Sequence, residues 1–143
     1  MSTVTVIQPT IAEEKSRIIR CAAYCRVSSD SEDQLNSLMA QTRYYGKFFE
    51  NSETEILVDI YADEGVTGTR EDKREEFQRM MKDCLRGKID RIYTKSISRF
   101  ARNTKDCLKN IRELKSLGIT IFFEKENIDT ANMTDELMLS LIH

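Results

Sequence analysis

The sequence predicts an α/β domain with a central, mainly parallel sheet of four to five strands and helices on both faces. Two observations carry this prediction. Short β-rich apolar runs alternate along the chain with amphipathic stretches of 12 to 17 residues, the order of βαβ units. Two of those stretches are closed by a glycine, Gly87 and Gly118, just before the next apolar run. At 143 residues the chain suits one domain with a single core.

Residues 1–16, with Pro9 and mixed polar side chains, read as an N-terminal arm in which Val4 and Ile7 could add an edge strand. The domain proper is expected over 17–133. Its first strand ends in Tyr24-Cys25-Arg26-Val27-Ser28. Alternation places Ile19, Cys21, Ala23, Cys25 and Val27 on one face and Arg20, Ala22, Tyr24, Arg26 and Ser28 on the other. Asp30 to Asp33 supply capping and acidic residues for a helix in which Leu35, Leu38, Met39, Thr42, Tyr45 and Phe49 recur at helical spacing. Gln34, Ser37 and Gln41 form a polar stripe on that helix. Ile56 to Tyr61 is a second strand, and Asp63 to Thr69, with Gly65 and Gly68, reads as a loop. Phe77, Met80, Met81, Cys84 and Leu85 define a second helix. Ile89 to Thr94 is the third strand. A third helix carries Leu108, Ile111, Leu114 and Leu117, capped by Asn103 or Thr104, and Ile119 to Phe123 is the fourth strand. Thr134 or Asp135 opens a last helix over 134–143, apolar on almost every side and without a C-cap. It reads as the start of a longer helix that packs on the domain and on a partner.

Composition narrows the functional classes. A net charge of −2 argues against a basic DNA-coating domain, so affinity for nucleic acid must come from a local cluster or another segment. No apolar stretch reaches membrane-spanning length and no signal-peptide plan is present, so a membrane role is not expected. Cys21, Cys25, Cys84 and Cys107 form no CxxC pair and the single histidine is His143, which speaks against a thiolate–imidazole metal site. Reduced, buried cysteines in a cytoplasmic protein are the expectation. No Walker-A or GxGxxG pattern is present, and no metal or cofactor is expected.

Polar groups collect where parallel strands end. Arg26 and Ser28 close the first strand, Arg74 follows the Gly-rich segment, and Lys95-Ser96-Ile97-Ser98-Arg99-Phe100-Ala101-Arg102 follows the third. Convergence of Arg26, Arg74, Arg99 and Arg102 would concentrate a charge of +4 in a chain of net −2. Arginine grips two phosphate oxygens with one planar fork and stays charged near neutral pH. Arg99 and Arg102 lie three apart, so a helical turn would aim both at one anion. A hydroxyl beside a guanidinium suits attack on a phosphate ester whose charge the arginine already holds. A serine at a strand end is also a common turn residue, and surface arginines commonly pair with acids.

Five motifs in order resemble one family. Tyr24-x-Arg26-Val27-Ser28, Gln34 with Ser37-Leu38-x-x-Gln41, Asp63-Glu64-Gly65-x-x-Gly68-Thr69, Arg74-Glu75-x-Phe77 and Lys95-Ser96-Ile97-Ser98-Arg99-Phe100-x-Arg102-Asn103 are similar to the catalytic domain of the serine recombinases. These are the resolvase/invertase enzymes, and the likeness is strongest to the large serine recombinases of mobile elements. It runs from about residue 18 to the end.

The resemblance implies a resolvase-like fold and a site-specific DNA recombinase. Ser28 would be the nucleophile, leaving a 5′-phosphoserine link and a free 3′-hydroxyl, with no metal or ATP. Arg26, Arg74, Arg99 and Arg102 match positions around the scissile phosphate. Gln41, Gln34 and Ser98 fall at supporting positions. Ser98 stands where many members carry aspartate, so a role for that aspartate does not transfer. Ser29 beside Ser28 leaves a second hydroxyl, and no residue is singled out as general base. The partners implied are DNA, recognised mainly through a C-terminal region, and further copies of the chain, from dimer to tetramer in the full-length protein. As it stands the chain is expected to bind DNA poorly and not to recombine alone. Two other readings remain: a metal-dependent nuclease using Asp59, Asp63, Glu64 or Asp90, and a non-catalytic phosphate-binding α/β module.

Overall fold

The fold is arranged around β1, Ile19–Ser28, which lies inside the sheet between β2 (Glu55–Gly65) and β3 (Arg91–Thr94). With β4 (Thr120–Phe123) and β5 (Ile128–Asp129) the strand order is β2-β1-β3-β4-β5. Among the described residues β1 to β4 run parallel and the two-residue β5 is antiparallel. The structure, a computed structural model, describes residues 17–28, 31–65, 74–134 and 140. The expected N-terminal arm, the segment 66–73 and most of the expected last helix lie outside the described residues, as do the side chains of 28, 31–34 and 65.

An inner strand of a parallel sheet is covered on both faces, and Cys21 to Cys25 are each buried. Their alternation sorts them into two cores. On one face Cys21, Ala23 and Cys25 pack with Tyr93 and with Tyr45 and Phe49 of α1 (Ser31–Glu50). On the other, Ala22 and Tyr24 pack with Phe77 and Met80 of α2 (Glu75–Leu85), Phe100 of the short α3 (Ile97–Phe100), and Ile111 and Leu114 of α4 (Thr104–Ser116). The expected α/β class with helices on both faces is what the structure has.

Several boundaries differ from the expectation. β2 continues to Gly65, so Asp63, Glu64 and Gly65 pair in register with Arg26, Val27 and Ser28 instead of forming a loop. β1 runs on past β3 and offers its neighbour a backbone to pair with. β3 starts at Arg91, after Ile89 and Asp90, though Asp90 still meets β1: its amide donates to the Arg20 carbonyl at 2.7 Å and its carboxylate accepts from the Arg20 backbone and guanidinium at 2.8–3.0 Å. The fifth strand is β5. In α1 only the second half lies over the sheet, so Tyr45 and Phe49 are buried while Leu35 and Met39 stay exposed. Leu85 and Leu117, at helix ends, are exposed as well. Gly87 and Gly118 adopt φ of 74° and 78°, the left-handed turn that ends α2 and α4 at little steric cost for glycine.

All four cysteines are buried and free. Burial pushes the Cys25 and Cys84 thiols up to about 12 and that of Cys107 up to about 11, so they stay neutral at physiological pH. Among the described residues no helix is long and apolar enough to cross a membrane.

Candidate active site

β1 outruns β3. Its register with β3 ends at Tyr24 opposite Thr94, whereas its register with β2 continues to Ser28 opposite Gly65. Beyond that point the Arg26 carbonyl is met by side chains, as a backbone acceptor beyond the ladder requires. Gln41 Nε2 donates to it at 3.4 Å and Arg99 Nη1 at 3.2 Å. Gln41 Nε2 also lies 3.3 Å from Ser37 Oγ, one helical turn back. The result is an open cleft of about 230 Å³ lined by Arg26, Ser37, Ala40, Gln41, Lys95 and Arg99 over Tyr24 and Cys25. Arg99 is delivered by α3, whose N-cap Ser96 accepts from the Arg99 amide at 3.2 Å while Phe100 is fully buried. Ser28 closes β1 at this edge; its side chain, that of Gln34, and Ser29 lie outside the described residues.

Arg74 sits behind the cleft. It precedes α2 in a left-handed conformation, φ 46° and ψ 52°, which costs a non-glycine residue about 1 kcal/mol or more. Its guanidinium is buried: Nε donates to the Tyr24 hydroxyl at 3.2 Å, Nη2 donates to the Phe100 carbonyl, and the group lies 3.8 Å from the Phe77 ring centroid. Tyr24 in turn donates to Asp63 Oδ2 at 2.7 Å. Asp63 accepts the Glu76 and Phe77 amides, each at 2.9 Å, at the N-terminus of α2. Burial raises the Tyr24 hydroxyl pKa despite the opposing charge of Arg74, so it remains a donor. Asp63, Tyr24, Arg74 and Phe100 thus tie β2, β1, α2 and α3 together.

Arg102 does not share a helical turn with Arg99. α3 ends at Phe100, because that ring is held edge-on by Tyr24, Phe77 and Phe123 at 5.2–6.4 Å, and Ala101 is extended, φ −129° and ψ 150°. Arg102 lines a neighbouring cleft of about 390 Å³ with Ile97, Ser98, Asn103, Thr104 and Glu126. Ser98 faces that second cleft, its Oγ 3.1 Å from Ser96 Oγ. The structure therefore brings Arg26, Gln41 and Arg99 together, holds Arg74 beneath them, and sets Arg102 and Ser98 on the other side of α3.

Three of the four carboxylates weighed for a metal have other partners. Asp59 pairs with Arg79 at 2.9 Å and Asp90 with Arg20 at 3.0 Å, and Asp63 uses both oxygens as above. Among the described residues no group of three histidine, cysteine, aspartate or glutamate side chains is placed to hold a metal ion. The sequence reading missed Asp63 as a clamp and Tyr24 and Lys95 as site residues. The alternation Tyr24-x-Arg26 was the available signal for the phenol; for Asp63 none existed without the strand register.

Fold and site define the class: an α/β domain with an arginine-lined cleft at the carboxyl ends of parallel strands. Within that class the chain belongs to the resolvase family of serine recombinase catalytic domains, since the family model for the resolvase N-terminal domain matches residues 21–143. It is similar to the crystal structure of a resolvase family site-specific recombinase from Streptococcus pneumoniae, with 30% identity over 87% of this chain and 83% of that one and a TM-score of 0.68. The fold is also that of the N-terminal catalytic domain of TP901-1 integrase, at 22% identity, 86% and 90% coverage and a TM-score of 0.63. The C-terminal catalytic domain of ISC1926 TnpA, an IS607-like serine recombinase, shares the fold at 20% identity, 86% and 77% coverage and a TM-score of 0.60. No curated protein matches the chain. The resemblance read from the five motifs is borne out.

Proposed function

We propose that this domain cuts and rejoins DNA in site-specific recombination by transesterification at Ser28. The observation that carries the reading is the cleft at the end of β1, where Arg26 and Arg99 meet two residues before Ser28 in a chain of the resolvase family. The Ser28 hydroxyl gives up its proton as its oxygen attacks a backbone phosphorus, the bond from phosphorus to the 3′-oxygen breaks, and the departing oxygen takes up a proton to become a 3′-hydroxyl. The 5′-phosphate stays on Ser28. Attack by a 3′-hydroxyl on that link reverses the step, so rejoining needs neither ATP nor a metal. Arg26 and Arg99 hold the phosphate and stabilise the added charge of the pentacoordinate transition state. Arg74 fixes the turn that presents Arg99, and Arg102 extends the positive surface across α3. Gln41 orders the rim, with Gln34 and Ser98 in support.

DNA is the substrate, in the bacterial cytoplasm, with dimers and tetramers of the full-length protein bringing two duplexes together. A net charge of −2 supports assigning site selection to a region outside this domain. The nuclease reading loses support because three of its four carboxylates, Asp90, Asp59 and Asp63, are engaged with Arg20, Arg79, Tyr24 and the α2 amides.

The test uses full-length protein and DNA carrying its recombination site, incubated in EDTA and quenched with SDS. The expected result is protein covalently attached to a 5′ DNA end, absent with Ser28→Ala. Cleavage that appears only on adding Mg²⁺, without an adduct, would overturn the proposal.

A further inference from the structure

Glu124 follows β4 directly and has no part in the chemistry above, yet it grips α1 twice. The Tyr44 hydroxyl donates to Oε1 at 2.8 Å and the Tyr45 hydroxyl to Oε2 at 2.6 Å. The backbone that carries it is fixed at the strand ends: the Glu124 amide donates to the Thr94 carbonyl at 3.0 Å and the Lys125 amide to the Lys95 carbonyl at 2.8 Å. Lys95 Nζ also lies 5.7 Å from the Tyr44 ring centroid. Tyr45 is buried in the core beneath α1, and Gln41 and Ser37 stand one and two turns before it on that helix. Glu124 thereby anchors α1 to the ends of β3 and β4 beside the cleft rim.

We infer that Glu124 is a positioning residue, which, by accepting both tyrosine hydroxyls, sets the rotation of α1 and so the place of Gln41 and Ser37 against Arg26 and Arg99. The inference rests on the strand-transfer reading for its catalytic consequence, but the positioning itself is measurable without it. Helices slide over apolar faces more readily than they break two hydrogen bonds to a charged acceptor.

The experiment compares the full chain with Tyr44→Phe/Tyr45→Phe, which keeps both rings, and with Glu124→Gln, which keeps one acceptor oxygen. Side-chain amide resonances of Gln41 report the geometry, the thermal midpoint reports folding, and cleavage at saturating DNA reports chemistry. The double variant is expected to shift the Gln41 resonances and slow cleavage about tenfold, a loss of the size misplacement brings, with DNA affinity held within about twofold. Glu124→Gln should fall between it and the parent. Unchanged Gln41 resonances in the double variant would overturn the inference, as would a cleavage rate that does not move. A parent protein forming no adduct would instead overturn the proposed function, and the Gln41 resonances tell the two failures apart.

Discussion

Arg74 and Arg99 differ far more in surroundings than in chemistry. Arg99 is exposed at the cleft, with one guanidinium nitrogen on the Arg26 carbonyl. Arg74 is buried against Phe77 and spends its donors on Tyr24 and Phe100. Substitution should separate them. Arg99→Gln is expected to leave stability within about 0.5 kcal/mol, as surface changes do. Its cleavage should drop roughly a hundredfold or more, because a phosphate loses a charged donor. Arg74→Gln should lose cleavage and also about 2 kcal/mol of stability, since buried acceptors on Tyr24 and Phe100 lose a charged partner. Denaturant titration beside an adduct assay reads both; equal stability of the two variants would contradict the assignment. The strand that carries Arg26 to the cleft was legible because its residues alternate with period two. The burial of Arg74 was not, because a residue before a helix carries no mark of the carbonyl that will meet it from Phe100, 26 positions away.

Among the elements, α1 shows where periodicity informs and where it misleads. Leu35, Leu38, Met39, Tyr45 and Phe49 all fit an apolar stripe, yet the sheet beneath reaches only the second half of the helix. Phe49→Ala is therefore expected to cost about 3–5 kcal/mol. Leu35→Ala and Met39→Ala should stay within about 0.5 kcal/mol. Thermal or denaturant unfolding of the three variants decides this, and comparable losses would mean that α1 is covered along its length. β2 was under-read for a related reason. Asp63-Glu64-Gly65 has poor β propensity, and pairing with β1, a non-local fact, overrides it. The break in α3 after Phe100 was equally hidden, because it follows from the packing of one ring among Tyr24, Phe77 and Phe123.

Across the whole molecule the fold class and the family were legible, because βα alternation and five ordered motifs span most of the chain. The wiring between elements was not, and tyrosines carry much of it. All five tyrosines have hydroxyl pKa values held above the ordinary one. For Tyr24, Tyr45, Tyr61 and Tyr93 burial is the main cause; for exposed Tyr44 it is the bond to Glu124. The unfolded chain releases these protons near pH 10, at about the free tyrosine value. The native protein holds them to higher pH. Above about pH 10 the native state binds more protons than the unfolded state, so stability present below that pH falls as pH rises. Phenolate absorbance is expected to appear together with unfolding in alkaline titration. Smooth phenolate formation near pH 10 in a protein that stays folded would contradict the hydrogen-bonded wiring.

The most direct measurement is mass spectrometry of the peptide left attached to DNA when full-length protein is trapped on its recombination site in EDTA. The account predicts a nucleotide 5′-phosphate on Ser28. A link to Ser29 or to any other residue, or metal-dependent cleavage with no linked peptide, would contradict it.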